Sequence, residues 1–222
     1  METGTDTGDL GTATSDYDEL CNELSSLRAM HAMLADLLEA SREAVDESLL
    51  MGRMEQALAV TCAALRAQAG AVLVCENDGS LVFVAAHGAS SQSLLWKRVE
   101  GTVGVAGWAV QNRKSAIVNN VALDDRFFPG VDSETGFRTQ SLIASPILSH
   151  EGKPLGVLEV VNKDGGKLFP STDLRSLSLV AHALGLVLAG LTESESVDGA
   201  LTGRLAAATA TAADLRRTNG DD

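Results

Sequence analysis

The sequence predicts an α+β domain: an antiparallel five- or six-stranded sheet, with long N- and C-terminal helices on one face and short helices and loops over a ligand pocket on the other. Three observations carry this expectation. Two apolar runs, 141–148 and 154–162, flank His150-Glu151-Gly152-Lys153, a connection too short for a crossover and suited to an antiparallel hairpin. A second hairpin is signalled by Asn77-Asp78-Gly79-Ser80 between the apolar runs 71–76 and 81–87. Helical periodicity marks both ends of the folded region, at 16–45 and 173–192.

The composition excludes several classes of function. At 222 residues the chain holds one domain of ordinary size plus helical extensions. A net charge of -13 argues against nucleic acid, whose binding relies on basic patches that release counterions. Much of the acid lies in the two ends, where it keeps a chain solvated. Cys21, Cys62 and Cys75 cannot all pair and form no C-x-x-C spacing, which indicates a reducing compartment. With no basic leader before an apolar run, and no uninterrupted apolar stretch of bilayer length, a cytoplasmic protein without a membrane partner is expected.

Residues 1–15 are rich in Gly, Thr and Asp and are expected to be disordered. Over 16–48, Leu20, Leu24, Leu27, His31, Leu34 and Leu38 recur at alternating four and three, the spacing of a coiled-coil seam. A two-position stripe is narrower than a core-facing helix usually carries, so a homodimer seam is favoured over packing on the chain's own domain. The domain proper spans 49–192. It begins with a helix over 49–68 carrying Met54, Leu58 and Leu65 and stopping at Gly70. After the first hairpin come a short helix at 88–95, a short strand at 96–100, and a loop punctuated by Gly101, Gly104 and Gly107. These glycines would let backbone approach a ligand, and a helix over 106–112 would offer it unpaired N–H groups. A strand at 116–118 and a helical turn at 124–128, capped by Asp124 or Asp125, precede the central hairpin. Ser171 or Thr172 caps the last helix, and 193–222 is an acidic, Ala-rich extension with weaker helical signal at 200–217.

The segment from Thr135 to Thr139, the central hairpin, and the set Asn162, Lys163, Phe169 and Asp173 resemble the GAF family. The likeness is greatest to the cyclic-nucleotide-binding GAF domains of mammalian phosphodiesterases and cyanobacterial adenylyl cyclases. It covers roughly residues 50–190 and no phosphodiesterase catalytic domain. The resemblance implies the fold derived above, dimerisation through the terminal helices, an unknown downstream signalling partner, and a bound cyclic nucleotide, cAMP or cGMP. It implies phosphate contact at Val105 and Ala106, with Phe128, Thr135 and Thr139 over the ligand. Ala86 and His87 would lie where the base is read, and Glu159 at the pocket floor. Asn162, Lys163, Phe169 and Asp173 form the structural signature, with a Lys163–Asp173 ion pair steadying the lid. Two positions depart from the family: Leu174 replaces the signature's final acid, and His87 the base-reading aspartate. Read without the resemblance, Thr135 fits a helix cap, Phe128 plain core and Glu159 an outward strand position.

No enzyme is expected, because no constellation of nucleophile and base is present. Cys62 and Cys75 read as small buried hydrophobes. The loop region GVAGWAVQNRKSAIVNN lacks the cysteines of the GAF-type free methionine sulfoxide reductases, and Cys75 is not placed for a bilin link. Haem is not expected either, since His150 belongs to a turn and His182 to a packed helix, and no other cofactor or metal is foreseen. Two readings remain: a non-catalytic cyclic-nucleotide sensor, or a dimerisation and docking module whose pocket is vestigial or takes another small ligand.

Overall fold

The computed structural model describes residues 9–40 and 47–193. Two long helices come first, α1 (Asp9–Ala40) and α2 (Glu47–Ala64). They lead into a six-stranded antiparallel sheet of order β3-β2-β1-β6-β5-β4. Its strands are β1 (Ala67–Cys75), β2 (Ser80–His87), β3 (Arg98–Glu100), β4 (Ala116–Val118), β5 (Leu142–Leu148) and β6 (Pro154–Lys163). Three short helices cross the outer face, α3 (Ser91–Leu94), α4 (Gly104–Asn112) and α5 (Gly130–Thr135), and α6 (Ser171–Glu193) closes the fold.

Alternation along the strands divides the core in two. Val72, Val74, Leu158 and Val160 point toward α1, α2 and α6, while Ala71, Leu73 and Val157 point toward α4. Both predicted hairpins form. Asp78 stabilises the first by accepting from the N–H and hydroxyl of Ser80, and Gly79 takes the positive φ of 82° that the turn requires. Between β5 and β6 the Ser149 N–H donates to Lys153 O. On the helix side, the hydroxyls of Ser115, Ser145 and Ser178 bond one another at 2.9–3.1 Å, which satisfies polar groups that would otherwise be costly between β5 and α6.

Several sequence expectations are corrected. Within the segment 1–15 expected to be disordered, residues from Asp9 onward belong to α1, one hydrogen bond per residue being gained once a helix is nucleated. Residues 1–8, 41–46 and 194–222, including the weak helix expected at 200–217, lie outside the described residues. The helix at 88–95 is confined to Ser91–Leu94. No helical turn forms at 124–128; one forms at Gly130–Thr135. Phe128 precedes Pro129 and is therefore biased away from α geometry, whereas Pro129, with its preset φ, can open the next helix. Asp124 closes only a single turn there: its carboxylate accepts from the backbone and guanidinium of Arg126, and its carbonyl accepts from the Phe127 N–H at 3.0 Å. By length and composition Ser171–Gly190 would suffice to cross a bilayer, contrary to the sequence reading, but half of that stretch is buried against the rest of the domain.

The stripe on α1 is only partly consumed by the domain. Met30, Met33 and Leu37 are buried against the neighbouring helices, whereas Leu24 and Leu27 of the predicted seam remain 46% and 61% exposed. The helix thus carries two apolar faces, one inward and one open.

The end of β6 fastens the outer layer to the sheet. Asn162 is buried and left-handed, at φ 56°, a conformation Asn tolerates better than most residues. Its Oδ1 accepts from the Gln140 N–H at 2.7 Å and the Ser141 N–H at 3.3 Å. Its Nδ2 donates to Arg138 O at 2.8 Å and to Gln68 Oε1 at 3.3 Å. Next to it, Lys163 Nζ donates to Asp173 Oδ2 at 2.5 Å and to Leu65 O at 2.9 Å, and lies over the Phe169 ring. Phe169 is tied back by Asn119, which accepts from its N–H and donates to its carbonyl. The four signature residues are one structural fastening, and none of them reaches the pocket described next.

Candidate functional site

Small residues at the centre of the sheet create a hollow. Glu159 on β6 lies between Ala71 of β1 and Ala144 of β5 in the strand register, so neither neighbour covers it. At the head of β1, Ala69 and Gly70 continue the thin floor. Over this floor α3, α4, α5 and the Phe127–Phe128 loop leave a cavity of about 120 Å³, several times the ~10–15 Å³ that one water needs. Its wall is mostly apolar, with Leu73, Phe83, Leu94 and Phe137 among the larger side chains.

One wall is the start of α4. Gly107 N–H donates to Val103 O at 3.3 Å, but the N–H groups of Gly104, Val105 and Ala106 meet no backbone acceptor. Three orphan donors at a helix N-terminus favour an anion or a carbonyl-like acceptor. Of the three glycines expected to approach a ligand, only Gly104 lines the cavity. Gly101 and Gly107 serve packing instead: a Cβ on Gly107 would lie 2.8 Å from Gly101 O and 2.9 Å from the Thr102 carbonyl carbon.

The lid is α5 with the segment that follows. Thr135 Oγ1 donates to Val131 O and accepts from the Phe137 N–H, while Thr139 donates to Asp132 through both its N–H (2.7 Å) and its hydroxyl (2.8 Å). The hydroxyl protons expected to face a ligand are therefore used within the lid, and the open donors are the backbone N–H groups of α4. At the mouth, Lys97 and Glu134 form an exposed ion pair at 2.6 Å between the β3 side and α5. Pairs of this kind contribute little to stability. Beside it, Arg126 lies 4.5 Å from the centre of the Trp108 ring and pairs with Asp124, whose carboxyl is held below its usual range chiefly by the Arg126 hydrogen bond.

Seven of the eight expected site residues line this one cavity: His87, Val105, Ala106, Phe128, Thr135, Thr139 and Glu159. Ala86 does not; it sits beside Ala71 in the β1–β2 ladder, outside the lining. Phe128 is 49% exposed at the rim rather than core. Sequence reasoning missed Asp132, which shares the cavity with Glu159 and holds Thr139. Its signal is faint, an acid seven residues before a threonine in a polar loop.

Glu159 has the most distinctive electrostatics. Its carboxyl belongs to the cavity lining, and among the described residues it takes part in no hydrogen bond. Burial, and secondarily the charge of Asp132, push its pKa from the ordinary 4.5 up to about 7. The thiols are also shifted upward: burial raises Cys62 to about 12 and Cys75 to about 11, which keeps both protonated at neutral pH. Among the described residues no group of three or more His, Cys, Asp or Glu side chains is placed to hold a metal.

Fold and cavity define an α+β domain with a small hollow between a sheet and a short-helix lid. The family model described as "GAF domain" matches residues 53–189, and the chain belongs to the GAF family. It is 32% identical over 91 residues to the dual 3',5'-cyclic-AMP and -GMP phosphodiesterase 11 of Drosophila melanogaster, covering 41% of this chain and 6% of that protein. It is 33% identical over 91 residues to the probable 3',5'-cyclic phosphodiesterase pde-5 of Caenorhabditis elegans, covering 41% and 12%. The chain thus matches only a small part of these relatives' length. Among solved structures, the GAF domain of a phosphoenolpyruvate-protein phosphotransferase from Coxiella burnetii superposes with a TM-score of 0.65 at 17% identity, covering 79% of this chain and 99% of that one. Free methionine-R-sulfoxide reductase from Neisseria meningitidis gives 0.58 at 18% identity, covering 75% and 92%. At these identities the superpositions establish the fold.

The raised Glu159 pKa has a thermodynamic consequence. Between pH 4.5 and about 7 the folded protein holds a proton that the unfolded chain has lost, so stability falls as pH rises through this window. The full penalty, on the order of 3 kcal/mol, is present above the folded pKa and absent below the unfolded one. Glu159→Gln is expected to remove this slope, leaving the variant more stable than wild type at pH 8 and little changed at pH 4.5, as read by urea denaturation at the two pH values.

Proposed function

We propose that the chain is a non-catalytic regulatory domain that binds a cyclic nucleotide, cAMP or cGMP, and signals occupancy through its terminal helices. The observation that carries this reading is the apolar hollow bounded by the three orphan N–H groups of α4. The cyclic phosphate would lie on Gly104, Val105 and Ala106, and the base against the aromatic wall and the lid. Similarity to cyclic-nucleotide phosphodiesterases in this same domain supports the choice of ligand. The protonated state of Cys62 and Cys75 favours a binding role over thiol chemistry. Lid closure would shift the helices only as far as the two states differ in affinity for the ligand.

A second reading has its own support. His87 in place of the base-reading acid, Ala86 outside the cavity, and two carboxyls in the lining, one on the floor and one on the lid, are features of a pocket that takes a different small ligand or has become vestigial in a docking module. Isothermal titration with cAMP and cGMP separates the two. The sensor reading expects micromolar or tighter binding of at least one, weakened about tenfold or more by Thr135→Ala with Thr139→Ala; silence from both nucleotides ends it.

The open stripe of α1 fits a second copy of this chain, with Leu24 and Leu27 in the seam. Leu24→Asp with Leu27→Asp should convert a dimer to a monomer in sedimentation equilibrium while leaving the melting temperature nearly unchanged. Wild-type protein that sediments as a monomer at tens of micromolar would rule the seam out.

A further inference from the structure

We infer that Glu159 controls the charge of the ligand this cavity accepts: an anionic ligand enters only when Glu159 is protonated, so that binding takes up a proton from solvent. The inference rests on the cyclic-nucleotide reading above and adds to it a specificity-determining residue and a dependence on pH.

Two titratable side chains share the cavity with the Glu159 carboxyl. Asp132 comes from α5, and His87 from the end of β2. Its partners in the ladder, Ala71 and Ala144, bring no charge, and α4 contributes only backbone N–H groups and apolar side chains to the lining. Among the described residues no Lys or Arg lines the cavity. Lys163, on the same strand, is committed to Asp173 and Leu65 O in the fastening between β6 and α6.

An anion held at the start of α4 would therefore share one small apolar enclosure with two carboxyls and no cationic side chain except His87 when protonated. Like charges in a poorly screened site cannot all remain ionised. Asp132 already accepts two hydrogen bonds from Thr139, whereas among the described residues none reaches the Glu159 carboxyl. Glu159 is thus the group that takes up the proton. Its position near neutrality without ligand makes the uptake effective in the ordinary range of cellular pH. Since only the protonated form is competent, apparent affinity scales with its population.

The test is calorimetric titration of the intact chain with cAMP and cGMP at pH 6 and pH 8, each in two buffers of different ionisation enthalpy. Affinity is expected to weaken about five- to tenfold from pH 6 to pH 8, with net proton uptake near pH 7 read from the buffer dependence. His87 shares the lining, so two variants assign the effect. Glu159→Gln should flatten the profile, and His87→Gln should retain most of it. A flat wild-type profile, proton release on binding, or a slope that persists in Glu159→Gln overturns the inference while leaving cyclic-nucleotide binding intact. Absence of binding by both nucleotides at pH 6 overturns the ligand reading and this inference with it. The proton count needs no variant, so misfolding of Glu159→Gln would not obscure the result.

Discussion

The outer layer of this domain depends on the side-chain amide of one buried residue. Asn162 satisfies two N–H groups and one carbonyl of the segment Arg138–Gln140–Ser141 while standing in a left-handed conformation at the end of β6. An aliphatic side chain there would leave these backbone groups without partners in a place water reaches poorly, at a cost of about 1–3 kcal/mol each. The lid is anchored at its C-terminal end by this contact. At its other end it is held by Arg126 on Trp108 and by the stiff Phe128-Pro129 step.

Between those two anchors the cavity follows from volume. Central strands normally fill the space under a layer of helices, but here Ala69, Ala71 and Ala144 leave it open around Glu159. An isolated acid at the bottom of an apolar hollow is costly, and the fold tolerates it by holding a proton. The opposite wall, with its unpaired α4 N–H groups, carries the contrary preference. The cavity therefore has two ends, one favouring negative charge and one penalising it, and a ligand must match both.

Much of the fold was legible because local rules and tertiary demands agree. The Asp78-Gly79 turn and the alternating runs of β1, β5 and β6 need no distant information. The Lys163–Asp173 pair followed from family resemblance, although it ties β6 to α6 rather than holding the lid itself. The misplaced helix at 124–128 shows where a single signal misleads. Asp124 looks like a cap, yet Arg126 two residues on takes its carboxylate, and Pro129 sets the true start. The glycines before α4 were read as ligand approach, although two of them serve close packing of backbone on backbone, a demand visible only in three dimensions. Asp132 was missed for a similar reason. Nothing in its neighbourhood distinguishes it from a solvated acid until the fold brings β6 beneath it. The α1 seam with Leu24 and Leu27 was legible as a stripe, but the separate inward face of Met30, Met33 and Leu37 required the domain it leans on.

The account stands on a lid held shut by an amide rather than by apolar burial. Hydrogen–deuterium exchange of Asn162→Ala against wild type tests this directly. Amides over 137–141 should exchange at least tenfold faster in the variant, while those of Val157–Val160 in the sheet keep their protection. Unchanged exchange over 137–141, or a uniform loss across lid and sheet alike, would contradict it.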